Sequence, residues 1–446
     1  MIGRSTSHLC RMRILTFLFT MSTSVLAAQA PINGPMPGHC DMLEATIWLQ
    51  CKGPCTALLE YWKEGRPDSL LRTTEQVSSQ ERAHAMDFRM DQVVPATTYE
   101  YRVVLDDKPL DLGEPLRFRT QPLWKFRNDP PDFTMATGSC TYVNEPAYDW
   151  PGKPYGAGYG IFDAIAAKRP DLMLWLGDNI YLREPDWGSR TGFLHRYTHT
   201  RSLPEMQHLL RSTANYAIWD DHDFGPNDAD GSFVNAAFAK ETFDLFWPNP
   251  GCGIPEAPHG ITTAFSHADV DFFLLDDRTY RIPPDVVSST PTLLGGPQQD
   301  WFIRALKYSD ASFKVVALGG QFLSTASVFE NYATFPAERQ RLIDRIAQEG
   351  ITGVVFLTGD RHFTELSHLV LPNGAWILDL TSSPLTSGPY VTKEENALRV
   401  PGTLVTERSF ATLSFSGTKA QRVLTFRAHN AKGEQLWEHV FQQPTK

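Results

Sequence analysis

A chain of 446 residues, 42% hydrophobic and 21% charged, is long enough for two or three domains and a large buried core. Its 41 Lys and Arg against 51 Asp and Glu give a formal charge of −10, which argues against a general nucleic-acid-binding surface. Past the N-terminus no stretch is apolar for long enough to span a membrane.

Residues 1–28 read as a secretory signal peptide. Arg4, Arg11 and Arg13 supply positive charge, 14–26 is largely apolar, and the small residues Ala27 and Ala28 follow. Met12 separates Arg11 from Arg13, which favours general secretion over twin-arginine export. The expected location is exported, either periplasmic or extracellular. Cleavage would leave Cys40, Cys51, Cys55, Cys140 and Cys252, an odd set in a compartment that permits disulfides. One bridge is expected among Cys40, Cys51 and Cys55. Its pairing, and whether Cys252 pairs, stay open, and Cys140 stands apart by its context.

Residues 31–125 read as an N-terminal β-sandwich domain. Alternating runs such as Ala45-Thr46-Ile47-Trp48-Leu49, Ala57-Leu58-Leu59-Glu60-Tyr61-Trp62 and Tyr99-Glu100-Tyr101-Arg102-Val103-Val104 are separated by turn residues. The stretch from Val94 through Tyr99 to Val103 resembles fibronectin type III-like modules. Asn128-Asp129-Pro130-Pro131-Asp132 marks a linker, and 132–446 reads as a second domain.

In that domain strands and helices alternate. Strands are expected at 133–137, 172–176, 272–275, 313–318 and 354–357. Helices are expected at 160–169, 232–246, 298–306 and 337–348. The tail returns to strands at 412–415, 422–426 and 437–441. The fold class is α/β, with ligands expected at the carboxyl ends of strands.

Four polar clusters follow apolar strands: Gly138-Ser139-Cys140, Gly177-Asp178-Asn179-Ile180-Tyr181, Trp219-Asp220-Asp221-His222-Asp223 and Gly359-Asp360-Arg361-His362. Crowded carboxylates repel one another, and a bound cation offsets the repulsion. Asp, His, Cys, Tyr and Asn are all competent metal donors.

These motifs, in this order, resemble those of the alkaline phosphatase D (PhoD-like) family of calcineurin-like metallophosphoesterases. The related purple acid phosphatases share Gly-Asp-x-x-Tyr but use Gly-Asn-His-Glu and Gly-His-x-His segments, and neither occurs here. The resemblance implies a four-layer α/β/β/α metallophosphoesterase sandwich preceded by the small all-β domain. It implies Fe3+ together with Ca2+, with Mn2+ or Mg2+ as alternatives for the second metal. Cys140, Asp178, Tyr181 and His362 match the iron side. Asp178 would bridge to a second cation held by Asp221 and Asp360, with Asn227 a further candidate. Asp220 and Asp223 are either ligands or groups that orient His222.

The implied activity is hydrolysis of small-molecule phosphate esters by a metal-held hydroxide attacking phosphorus. His222 would stabilise charge or protonate the leaving oxygen. Arg361 is a candidate phosphate contact, and Arg278 a second one. Two other readings compete. One is a secreted binding protein with an inactive metallophosphoesterase domain. The other is a phosphodiesterase dedicated to polymer or lipid substrates.

Overall fold

The computed structural model describes Met1 and residues 32–113 and 115–443. The expected signal peptide lies outside the described residues. Residues 31–446 pack as one compact unit.

The N-terminal part is all-β. Ile32–Cys40, Ala45–Cys51 and Ala85–Met90 form an antiparallel sheet. Thr56–Lys63 and Thr98–Leu105 centre a second one. Their inward residues, including Ile47, Leu49, Leu59, Phe88, Tyr99 and Val103, build a core of their own. A disulfide joins Cys51 to Cys55, while Cys40, Cys140 and Cys252 are free thiols. Hydrogen bonds also tie this β-region to the α/β part of the chain. The Trp48 indole donates to Leu245 O (2.8 Å), Gln50 to Thr198 Oγ1 (2.8 Å) and Arg211 to Gly34 O (2.7 Å).

Two six-stranded sheets form the rest. In one, Phe133–Gly138, Leu172–Leu176 and Ala214–Ile218 run parallel, and the antiparallel tail strands Ser409–Ser416, Val423–Asn430 and Gln435–Gln442 extend it. In the other, Val270–Leu274, Phe313–Leu318, Val354–Thr358 and Trp376–Thr381 run parallel between antiparallel edges at Thr263–His267 and Glu365–Val370.

Side-chain alternation explains the layering. Val315 and Ala317 point to the core shared with the first sheet, whereas Val316 and Leu318 point to Phe302, Ile303, Leu342 and Ile346 of the outer helices Gly296–Tyr308 and Pro336–Gln348. Between the sheets Phe265 stacks on Tyr216 at 4.0 Å and Phe313 meets Phe415 at 5.7 Å. Helices Ile161–Ala166, Arg190–Arg201 and Ala236–Phe246 cover the first sheet's other face, completing the α/β/β/α order.

Strands 172–176 and 313–318 fall on their expected bounds. Helix Ala236–Phe246 starts four residues later than expected, because 225–235 is a loop rather than a helical turn. The tail strands are longer than their apolar centres. Antiparallel pairing continues through the polar residues Arg427 and His429.

Candidate metal centre

The carboxyl ends of the parallel strands carry the site. Cys140 follows Phe133–Gly138, Asp178 follows Leu172–Leu176, and Asp220 and Asp221 follow Ala214–Ile218. Asp360 and His362 follow Val354–Thr358. Gly177 (φ +85°) is required here: a Cβ would lie 2.6 Å from Asp220 Cβ. A Cβ on Gly359 would strike Ser139 Oγ at 2.6 Å and Leu176 O at 2.8 Å. Four candidate ligands occupy the left-handed backbone region, Cys140 (φ 62°), Asp178 (50°), Asp360 (61°) and His362 (55°). Non-glycine residues are held there at a cost, and such outliers concentrate at functional sites.

Cys140 and Asp178 are buried. Cys140 Sγ lies 3.5 Å from Asp178 Oδ2, which also accepts from Tyr181 Oη at 2.9 Å. Tyr181 Oη is 3.2 Å from His362 Nε2. Donor atoms of Cys140, Asp178 and His362 all lie within 4.8 Å of one another, and so do those of Asp178, Asp221 and His222. Asp178 therefore belongs to both groups, and its Oδ1 is buried with no hydrogen-bond partner. Asp360 stands outside these compact groups but lines the same cleft, its Oδ2 lacking a hydrogen bond.

That cleft, about 1060 Å³, is lined by Asp178, Asp221, Asp360 and His362, together with His222, Asn227 and Arg361. Cys140 and Tyr181 do not line it but contact Asp178, which does. Asn227 is an exposed loop residue on the wall. His222 packs its ring 4.3 Å from the Tyr181 ring, with Nδ1 unpartnered.

Burial dominates the electrostatics. It pushes the Cys140 thiol up to about 12. Burial, then the charges of Cys140, Asp221, Asp223 and Asp360, raise Asp178 well above the carboxylate range. Tyr181 is raised well above its usual value by burial and by Asp178. Burial also acts against ionised Asp221, but His222, Arg278 and the hydrogen bonds from Asp228 N–H and Asp178 together hold that group at about 2. Asp221 thus has its counter-charges, whereas burial holds Cys140, Asp178 and Tyr181 neutral, and a cation would displace their protons and supply a counter-charge. The orphaned carboxylate oxygens and the convergent S, O and N donors fit a metal.

The remaining acids of the Asp-rich corner have protein partners, although Asp220 also converges with Asp221 and Glu330 within 4.8 Å and keeps a buried Oδ2 without a hydrogen bond. Asp220 caps the one-turn helix Asp221–Phe224 and pairs with Arg278. Asp223 accepts from the backbone N–H of Asp220 (3.0 Å) and Asn179 (3.1 Å). Neither orients His222 by a hydrogen bond. Arg278 is buried among Asp220, Asp277 and Glu330, so it does not reach the cleft; Arg281 and Arg361 do. Arg361 is paired with Glu394 and lies 3.6 Å from Asp360 Oδ2.

Sequence reading missed several partners. Ser383 Oγ donates to Cys140 Sγ (3.1 Å) and accepts from His362 N (3.0 Å). Tyr155 Oη is 3.1 Å from His362 Nδ1, and Ser387 Oγ is 3.3 Å from its Nε2. Ser383 carries the same signal as the four motifs, since Thr381-Ser382-Ser383 closes the apolar strand Trp376–Thr381. Tyr155 lies in an aperiodic loop and carries none.

Residues 135–432 match the family model described as PhoD-like phosphatase. Alkaline phosphatase D of Bacillus subtilis (strain 168) is 24% identical over 347 residues, 67% of this chain and 57% of that protein. The chain thus aligns with less than two thirds of that relative's length. A solved structure of PhoD superposes with TM-score 0.73 at 19% identity, covering 93% of this chain and 90% of that one. Purple acid phosphatase PPD1 from yellow lupin (Lupinus luteus) seeds superposes with TM-score 0.65 at 10% identity, covering 93% and 74%. At those identities the two structures speak for the fold, which is that of the metallophosphoesterases. The family match extends over more than half of the sequence, and the chain belongs to the PhoD-like phosphatase family.

Proposed function

We propose that this chain is an exported, metal-dependent phosphoester hydrolase. The observation that carries the reading is Asp178, a buried carboxylate shared by two convergent donor groups with one oxygen unpartnered. In this reading Cys140, Asp178, Tyr181 and His362 hold one cation, and Asp178, Asp221 and Asp360 hold a second, with Asn227 at its edge. A thiolate and a phenolate suit Fe3+, and the carboxylate-rich partner site suits Ca2+, or Mn2+ or Mg2+. When bound, the metals supply Lewis acidity, generating a nucleophile at neutral pH and neutralising phosphoryl oxygens.

The chain's own residues do the rest. Arg361, fixed by Glu394, presents its guanidinium at the cleft wall beside Asp360, where it contacts the substrate phosphate. His222 lines the cleft and holds the proton that the leaving oxygen takes as its bond to phosphorus breaks. Water supplies the new P–O bond, so the products are an alcohol and a phosphate. Tyr155, Ser383 and Ser387 fix the His362 ring and backbone.

Residues 31–125 and 132–446 are proposed as the β-sandwich and catalytic domains. Export is supported by the charged and apolar pattern of 1–28 and by the Cys51–Cys55 disulfide. No helix among the described residues is long and apolar enough to cross a membrane.

The test is to strip the purified protein with a chelator, restore iron and calcium, and assay a phosphomonoester and a phosphodiester before and after. Activity lost and regained with metal is expected, and the preferred ester emerges from the same assay. A protein inactive on both esters after reloading would overturn the reading.

A further inference from the structure

One wall of the cleft is aromatic. Phe329 is 66% exposed and Tyr390 42% exposed, and both line the cleft that holds Asp178, Asp221 and Asp360. Their rings meet edge to face, with centroids 6.3 Å apart at 79°. Large apolar groups left in water beside a polar site mark a binding surface more often than chance.

The two rings are also held in place. Phe329 sits in the left-handed region (φ 47°), unusual for a bulky residue, and the next residue, Glu330, is anchored by buried Arg278 and by Arg281. The Arg361 guanidinium lies 4.3 Å from the centre of the Phe329 ring, so the candidate phosphate contact and the ring form one stack. The Tyr390 backbone N–H donates to His362 O at 2.8 Å, tying the second ring to a candidate ligand. The cleft also carries Asp228, Asp230 and Asp285, which disfavour a further anionic group on the substrate. A single flat ring fits.

We propose that Phe329 and Tyr390 are specificity residues. They stack against a planar aromatic ring in the leaving group and so favour nucleoside or aryl phosphates over esters of small polyols. This rests on the phosphoesterase reading.

The experiment compares kcat/KM for adenosine monophosphate, phenyl phosphate and glycerol phosphate, in metal-loaded wild type, Phe329→Ala and Phe329→Trp. Stacking of one ring predicts that the selectivity ratio of the aromatic ester over glycerol phosphate falls about tenfold in Phe329→Ala, mainly through KM. Phe329→Trp keeps or raises it. A fall confined to adenosine monophosphate identifies a base held beyond the sugar. A fall confined to phenyl phosphate identifies a ring next to the scissile oxygen. Equal losses on all three esters, or an unchanged ratio in Phe329→Ala, overturn the inference while leaving the hydrolase reading intact. A wild type that hydrolyses none of the three overturns both.

Discussion

Around Cys140 the neighbours are hydroxyls: Ser139 at 3.4 Å, Ser383 at 3.1 Å, and Tyr181 beyond the shared Asp178. By contrast, Asp220, Asp277 and Glu330 surround a guanidinium, Arg278, that is as buried as they are. The first region contains a thiol and a phenol that burial keeps neutral. It can adapt its charge to what binds. The second already contains its cation, covalently part of the chain. Acidic residues in one corner of the sequence thus have two purposes, and only the geometry separates the carboxylates that face the cleft from those that brace it.

Arg278→Met would leave buried Asp220 and Asp277 without their cationic partner and Glu330 with Arg281 alone, at a cost of about 3–5 kcal/mol. Thermal or denaturant unfolding of metal-stripped protein would measure it. A loss well under about 1 kcal/mol would mean that the corner tolerates those charges without Arg278.

A smaller effect sharpens the adaptive side. Ser383→Ala removes the hydroxyl that joins Cys140 Sγ to the His362 backbone. Outer hydrogen-bond partners of this kind change metal affinity by about 10–100-fold. Competition with a chelator reads that loss, and far-ultraviolet circular dichroism checks that the fold persists. Metal retention equal to wild type would exclude Ser383 from supporting the ligand set.

Periodicity set how much of the fold and the site was legible in the sequence. Strand 172–176 is an unbroken apolar run and 313–318 is interrupted only by Lys314, and the polar residues after the first mark a strand end where the site forms. Helix Arg190–Arg201 was not legible, because its inner face carries Arg196 and Arg201, charged residues that ordinarily signal exposure. Arg201 is buried against the Trp247 ring at 3.9 Å, and Arg196 pairs with Asp186 and Glu145. The Cys51–Cys55 bridge could not be chosen from three nearby cysteines until Thr56–Lys63 turned back beside its neighbours. Arg278 and Arg361 look alike in sequence, each next to an Asp. Only packing shows that the first is internal and the second faces the cleft.

In the proposed reading one carboxylate, Asp178, serves both cation sites. Elemental analysis of wild type and Asp178→Asn, purified side by side, tests it most directly. Two metal ions per chain in the wild type and loss of both in the folded variant are predicted. A variant that keeps both metals would contradict the shared role of Asp178.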